Sequence, residues 1–304
     1  MATIPVILTV AVLVFLLLRL TPGDPAQIIA GDSATASQLE EIREHMGLRK
    51  PIASQFLIWG TQVLQGDFGV SLHSRTPVRQ MISDRMGTTL SLAICTILFS
   101  TMIAIPLGVM AAWRRGTKID RGIMAFSVLG FSVPIFVTGY ALILMFSMKL
   151  GWMPVQGYKQ LSTGIWPFFQ HLILPTIALS TGFIALIARM TRSSLLEVMG
   201  EDYIRTARAK GITEQVVMME HALRNSAVPI ITIIGISIGM LISGVVVTES
   251  VFNLPGLGRL VVESVLARDY PLIQALILLF SMFYIAINLL IDTLYVVFDP
   301  RIRY

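Results

Sequence analysis

The sequence predicts an all-α polytopic membrane protein of six transmembrane helices, with an external segment between the first and the second. Three observations predict it. Of 304 residues, 55% are hydrophobic and 13% charged, against about a quarter charged in a soluble domain, and the mean hydropathy is +0.76. Apolar runs recur that reach the roughly 20 residues a helix needs to cross a bilayer; they are far longer than barrel strands and lack strict alternation. The Lys and Arg residues behind the net charge of +5 sit in short clusters between those runs, which controls topology rather than forming a nucleic-acid patch.

The spans read at about 3–20, 87–113, 122–149, 168–191, 227–248 and 273–297. After the first, Arg19 leads into the rigid turn Thr21-Pro22-Gly23-Asp24-Pro25 with no small-residue cleavage site, so this helix is expected to be retained rather than removed as a leader. No basic residue precedes it, which leaves its orientation to the later loops or to residues before this start. The segment 21–86 has balanced charge. In it Ser37-Gln38-Leu39-Glu40 matches a capping box, followed by Leu39, Ile42 and Met46 at helical spacing and a stop at Gly47. A second amphipathic stretch runs from Pro51 through Phe56, Trp59 and Val63 to Gly66. These helices either lie on the membrane surface, fold over the bundle, or face a receptor. Cys95, alone in an apolar run, reads as a small packing residue.

Arg114, Arg115, Lys118 and Arg121 crowd the link between spans two and three. Arg189, Arg192, Arg205, Arg208, Lys210 and Arg224 crowd the region around spans four and five, and Arg301 and Arg303 end the chain. With six spans all three clusters share one side, which the positive-inside rule makes cytoplasmic, together with both termini. The 87–304 portion then carries spans two to six, with a cytoplasmic loop at 194–224.

Polar residues within spans usually face protein or water. Asn288 and Asp292 share a face of span six, and Thr248 and Glu249 end span five; they either line a pathway or bond between helices. Pro106, Pro134, Pro175 and Pro229 are positioned to kink or begin helices. Gly235-Ile236-Ser237-Ile238-Gly239 matches a nucleophile-elbow pattern, but mid-span rather than on a strand-turn-helix, so an intramembrane hydrolase is a remote alternative. His45, His73, His171 and His221 are too scattered to suggest a triad or a metal site. A secondary transporter would need intramembrane coupling carboxylates and usually an inverted repeat, neither of which stands out. No phosphate-binding loop is present, so ATP hydrolysis, if used, belongs to another chain. No cofactor is expected.

The most informative stretch is Glu201-Asp202-Tyr203-Ile204-Arg205-Thr206-Ala207-Arg208-Ala209-Lys210-Gly211-Ile212-Thr213-Glu214, continuing to His221-Ala222-Leu223-Arg224-Asn225. It reads as a short cationic helix, a glycine stop, a new start at Thr213 and a second helix into span five. This stretch resembles the EAA loop of ABC importer permeases. Gly211, Ala207 and Leu223 hold family positions. Arg205, Thr206 and Arg224 depart from the general consensus toward the variant of the peptide-type branch. Leu18-Arg19-Leu20-Thr21-Pro22-Gly23-Asp24-Pro25, Gly66-Asp67-Phe68-Gly69 with Ser71-Leu72, and Leu150-Gly151-Trp152-Met153-Pro154 with Gly157-Tyr158 resemble the same branch. So do Glu249-Ser250-Val251-Phe252-Asn253-Leu254-Pro255-Gly256-Leu257-Gly258 and the closing Asp299-Pro300-Arg301.

The resemblance, which covers the whole chain, implies the type I ABC importer permease fold and a place in a bacterial inner membrane. It implies the first permease of a dipeptide or oligopeptide importer, whose relatives also carry glutathione or nickel chelates. Its partners would be a second, homologous permease (a heterodimer), two cytoplasmic ATPases, an external solute-binding protein and a peptide substrate. Glu201, Asp202, Tyr203, Arg205, Thr206, Ala207, Lys210 and Gly211 would form the ATPase-coupling helix, a rigid knob that turns ATPase closure into helix tilt. Glu249, Phe252, Pro255, Gly256 and Gly258 would form an external turn, its glycines free for positive φ, that re-enters the bundle, contacts the binding protein, or simply crosses the surface. Thr248, Asn288 and Asp292 are candidate pathway residues.

Overall fold

The computed structural model describes residues 3–20, 26–27, 35–45 and 48–298; the Thr21–Pro25 turn, Met46, the Gly47 stop and the closing Asp299-Pro300-Arg301 lie outside them. Among the described residues the chain is helices and connections, with a single antiparallel bridge between Val70 and Pro77. The helices are α1 (Thr3–Leu20), α2 (Ala36–His45), α3 (Ile52–Leu64), α4 (Val78–Trp113) and α5 (Lys118–Ser132). Next come α6 (Ile135–Leu142), prolonged by a π-helical stretch over Ile143–Lys149, then α7 (Ile165–Val198) and α8 (Asp202–Ala209). A helical stretch over 214–225, α9, has a π-helical centre at Val217–Ala222. The chain continues as α10 (Ala227–Val251), α11 (Leu257–Leu266) and α12 (Tyr270–Phe298).

By length and composition α4, α7, α10 and α12 can each cross a membrane, and α1 contributes a shorter apolar stretch, Pro5–Leu16. The third span is not the continuous rod expected at 122–149. α5 and its successor bend by 100° at the break between them. The cause is Pro134, which lacks an N–H and pushes the residue before it out of the helical region; Val133 is extended at φ −82°, ψ 124°. Pro106 and Pro175 instead sit inside continuous helices, α4 and α7. The expected capping box is displaced two residues toward the N-terminus. Thr35 Oγ1 accepts from the Gln38 N–H at 3.4 Å, and Gln38 Oε1 accepts from the Thr35 N–H at 3.0 Å.

The chain divides into two compact units, 1–87 with 256–286, and 88–255 with 287–304. In the first, Val78 and Ile82 pack with Leu257, Leu260, Leu272, Ala275 and Leu276. Phe15 of α1 meets Phe56 and Trp59 of α3 at ring-centroid distances of 5.2 and 5.6 Å, so the second amphipathic stretch folds back on the first helix. Gln274 donates to the Val14 carbonyl at 2.8 Å.

The second unit is built around α7, whose Leu172, Leu179, Phe183, Ile184 and Ile187 are core residues. α4 shows how this unit differs from a water-soluble one. Leu90, Ile94, Leu98 and Met102 form an exposed stripe four residues apart, whereas Leu92, Thr96, Ser100 and Ala104 are fully buried. In lipid, apolar side chains gain nothing from burial, and small or hydroxyl residues let helices approach. Gly108 is such a point: a Cβ there would lie 2.7 Å from the Ala188 carbonyl oxygen of α7.

Candidate functional site

The resemblance-bearing loop folds as a short helix braced from beneath. α8 ends at Ala209; Gly211 then takes φ +80°, a left-handed value that glycine adopts without strain. The Gly211 N–H reaches the Arg208 carbonyl at 2.9 Å and the Ile212 N–H the Ala207 carbonyl at 3.3 Å, so the last turn is closed by its own backbone. Ile204, Ala207 and Val217 are buried together, with Val198, Met199 and Ile212 against them. A second cluster joins Val109 and Ala112 of α4, Leu195 of α7 and Met218 and Ala222 of α9. α8 is therefore fastened to α7, α9 and, through them, α4.

Glu201, Asp202, Tyr203, Arg205, Thr206, Lys210 and Gly211 all lie exposed on this helix and its cap, as a surface for another protein requires. Ala207 does not: it is 7% exposed and belongs to the bracing cluster. Arg205 pairs with Asp202 at 3.2 Å on the outer face, and Thr206 Oγ1 donates to the Asp202 carbonyl at 3.0 Å. Partial burial pushes the Tyr203 phenol above its usual pKa, offset in part by its hydrogen bond with Asn225 and raised further by Glu201. Sequence reasoning left out Arg208. Its guanidinium grips Glu214 with Nε to Oε1 at 2.7 Å and Nη2 to Oε2 at 3.3 Å, bridging the glycine turn. The signal was available as opposite charges six residues apart around a glycine.

The excursion after α10 is different. Thr248 and Glu249 are wholly buried; Thr248 donates to the Gly244 carbonyl at 2.9 Å, and Glu249 Oε1 accepts from Thr89 at 2.6 Å. Phe252 is 3% exposed, and its carbonyl accepts from the Gly157 N–H at 3.2 Å; Asn253 donates to Gln156 at 3.0 Å. The stretches 151–158 and 249–254, distant in sequence, thus form one packed feature. Pro255 is exposed. Gly256 and Gly258 are buried, and the left-handed residue of the excursion is Asn253 (φ 52°) rather than either glycine; Gly256 has φ −111°. In the first unit Asp269 accepts from Ser71 Oγ and, at 3.2 Å, from the Leu72 N–H, so Ser71-Leu72 is tied to the loop before α12. Arg85 and Arg259 both pair with Glu263 at 2.8 Å. Asn288 and Asp292 of α12 are exposed on the chain surface.

Ser237 of the elbow-like pattern is fully buried in α10 and donates to the Ile233 carbonyl at 2.7 Å. A Cβ on Gly235 would lie 2.4 Å from Ile291 Cδ1, so this motif is a helix-packing face. Among the described residues no group of His, Cys, Asp or Glu could hold a metal ion.

Residues 104–304 match the family described as binding-protein-dependent transport system inner membrane component, and residues 1–93 match its N-terminal companion. The chain is 50% identical over 303 residues to the probable peptide ABC transporter permease protein y4tP of Sinorhizobium fredii, covering 100% of this chain and 97% of that one. It is 46% identical over 301 residues to the glutathione transport system permease protein GsiC of Salmonella choleraesuis, covering 99% and 96%. A chain of the MetNI methionine ABC transporter, crystallised in inward-facing conformations, has the same fold: TM-score 0.61 at 19% identity, over 72% of this chain and 97% of that one. The chain belongs to the family of binding-protein-dependent transport system inner membrane components, as a multi-pass permease of the dipeptide and oligopeptide ABC importer type.

Proposed function

We propose that this permease carries small peptides through a pathway it shares with a second, homologous permease, and that α8 is the helix through which a cytoplasmic ATPase drives it. Membership in the family makes the chain a permease component and not itself an enzyme, with ATPase and binding-protein partners. Both termini lie in the cytoplasm in this reading, as does the 194–224 loop. The 21–86 segment, with Pro255 and its neighbours, faces the binding protein. Thr248, Asn288 and Asp292 are assigned to the pathway or its helix contacts.

The observation that carries the coupling role is the division of labour within α8. Ile204 and Ala207 lock it to the bundle while Glu201, Asp202, Tyr203, Arg205, Thr206, Lys210 and Gly211 are left on the surface. A knob held this way moves as a rigid body with α7 and α9 rather than flexing. Gly211→Pro imposes φ near −65° where the turn requires +80°. Arg205→Glu reverses the charge of the outer face. Both variants should insert normally yet lose about tenfold or more of uptake per ATP hydrolysed in the reconstituted complex. Wild-type uptake by both at normal expression would refute the assignment.

Cargo has a second reading, because one relative is named for glutathione and another for peptides. Direct uptake of labelled dipeptide and tripeptide, with glutathione as competitor, separates the two. Peptide uptake insensitive to glutathione supports the first; glutathione uptake alone would replace it.

A further inference from the structure

Asp120 opens α5 with a carboxylate that is almost wholly buried: the residue is 3% exposed. It takes both arms of the Arg192 guanidinium, Nε to Oδ1 at 2.6 Å and Nη2 to Oδ2 at 2.8 Å, and a third donor from the Gly116 N–H at 2.9 Å. Topology control explains the arginine but not a buried carboxylate set to receive it. Nor is stability a sufficient reason, since a buried ion pair loses most of its attraction to desolvation and apolar residues of similar volume hold helices as well. What a bidentate pair adds is fixed orientation between the two helices that bear it.

The helices concerned have distinct positions. Arg192 lies within two turns of the end of α7 at Val198, just before α8 begins at Asp202. Leu195 and Met199 of the same stretch join the clusters that brace α8 and α9. α5 runs from the pair to the 100° break at Val133. Beside that break is a cleft of about 330 Å³, open to the surface and lined among others by Gly130, Val133, Ile135, Thr181, Gly182 and Ser243. α5 is therefore gripped at one end and, at the other, packs on α7 at Gly130 and borders an open cleft at Val133. A close-packed interior shifts between discrete arrangements, and unfilled space beside a helix break is where such a shift meets least resistance.

We infer that the Asp120–Arg192 pair is a transmission joint: it passes displacement of the α7–α8 corner into α5, whose far end then swings at the Val133–Pro134 break. This rests on the reading of α8 as the coupling helix. Both residues are positioning residues that act through the helices they join.

The test uses the complete importer in proteoliposomes, measuring uptake and binding-protein-stimulated ATP hydrolysis together, with assembly and thermal stability of each variant. Asp120→Asn and Arg192→Gln are expected to lower uptake per ATP about tenfold. Arg192→Lys, which keeps the charge but loses the planar fork, should fall between these and wild type. The double variant Asp120→Asn/Arg192→Gln has no unpaired buried charge, so it should recover assembly and thermal stability yet remain poorly coupled. A merely structural pair would recover coupling with stability in the double variant, and that result overturns the inference, as does a wild-type uptake-to-ATP ratio in both single variants. If the single variants do not assemble, the double variant and Arg192→Lys decide alone. Gly211→Pro in the same assay separates this inference from the one beneath it. Normal coupling in Gly211→Pro with loss in Asp120→Asn would remove the coupling role of α8, and the reverse would remove only the joint.

Discussion

The loop from Glu201 to Asn225 and the excursion from Thr248 to Asn253 both join α10 to its surroundings, and they are held in opposite ways. The first keeps its charges on the surface and is fastened by a few apolar side chains, a glycine turn and the half-exposed Arg208–Glu214 pair. The second buries its carboxyl group: Glu249 is fully enclosed and bonded to Thr89, and the Phe252 carbonyl accepts from the Gly157 N–H. An element that must engage another protein gains from exposed charge and little internal commitment. One that must hold shape gains from buried hydrogen bonds, because a partner lost in the interior leaves an unpaired group that costs more than the bond supplied. Burial at Glu249 and Phe252 makes them internal fasteners of this unit, leaving Ser250, Asn253 and, just beyond, Pro255 exposed.

Three substitutions break or sharpen that contrast. Glu249→Ala leaves the Thr89 hydroxyl without this acceptor and should destabilise the protein by about 3 kcal/mol, the upper end for removing one partner of a buried hydrogen bond. The measurement is chemical or thermal unfolding of the detergent-solubilised permease, and an unchanged midpoint would remove the distinction between the two regions. Ile204→Ala empties the centre of the small cluster under α8 and should cost about 2 kcal/mol, the low end for truncating a fully buried aliphatic residue. Here the loss should show as faster proteolysis within 199–216 and lower uptake. Equal protection of the loop in mutant and wild type would mean that α8 is not braced from below. Arg208→Ala removes a pair that is 38% and 53% exposed in its two side chains, and should cost about 0.5 kcal/mol or less, falling further at high salt. A larger, salt-insensitive effect would show that the glycine turn depends on that bridge rather than on its backbone closure.

Much of this was legible in the residues. Uninterrupted apolar runs located α4, α7, α10 and α12, because backbone polar groups in lipid have to be satisfied within the segment and only a helix does that locally. The glycine stop at Gly211 and restart near Thr213 were also readable, since turn chemistry is a property of neighbours in sequence. Less was visible where the answer depended on which signal of several would win. Pro106, Pro134 and Pro175 look alike in an apolar run, yet only Pro134 breaks its helix. Ser37 was the expected cap, and Thr35 takes that place instead by pairing with Gln38. Ala207 was grouped with its surface neighbours although α8 turns it inward with Ile204.

By itself the sequence determined that this chain is made of membrane helices, where four of them lie, and which short loop carries exposed cationic residues. Hydropathy, charge clustering and turn residues act over a few positions and need no knowledge of the rest of the chain. Only the tertiary structure decided that Glu249 meets Thr89, that Asp120 meets Arg192, and that Asp269 receives Ser71, each across 72 residues or more. A polar side chain near the end of a span has several ways to satisfy itself, and packing alone chooses the partner that arrives within hydrogen-bonding distance.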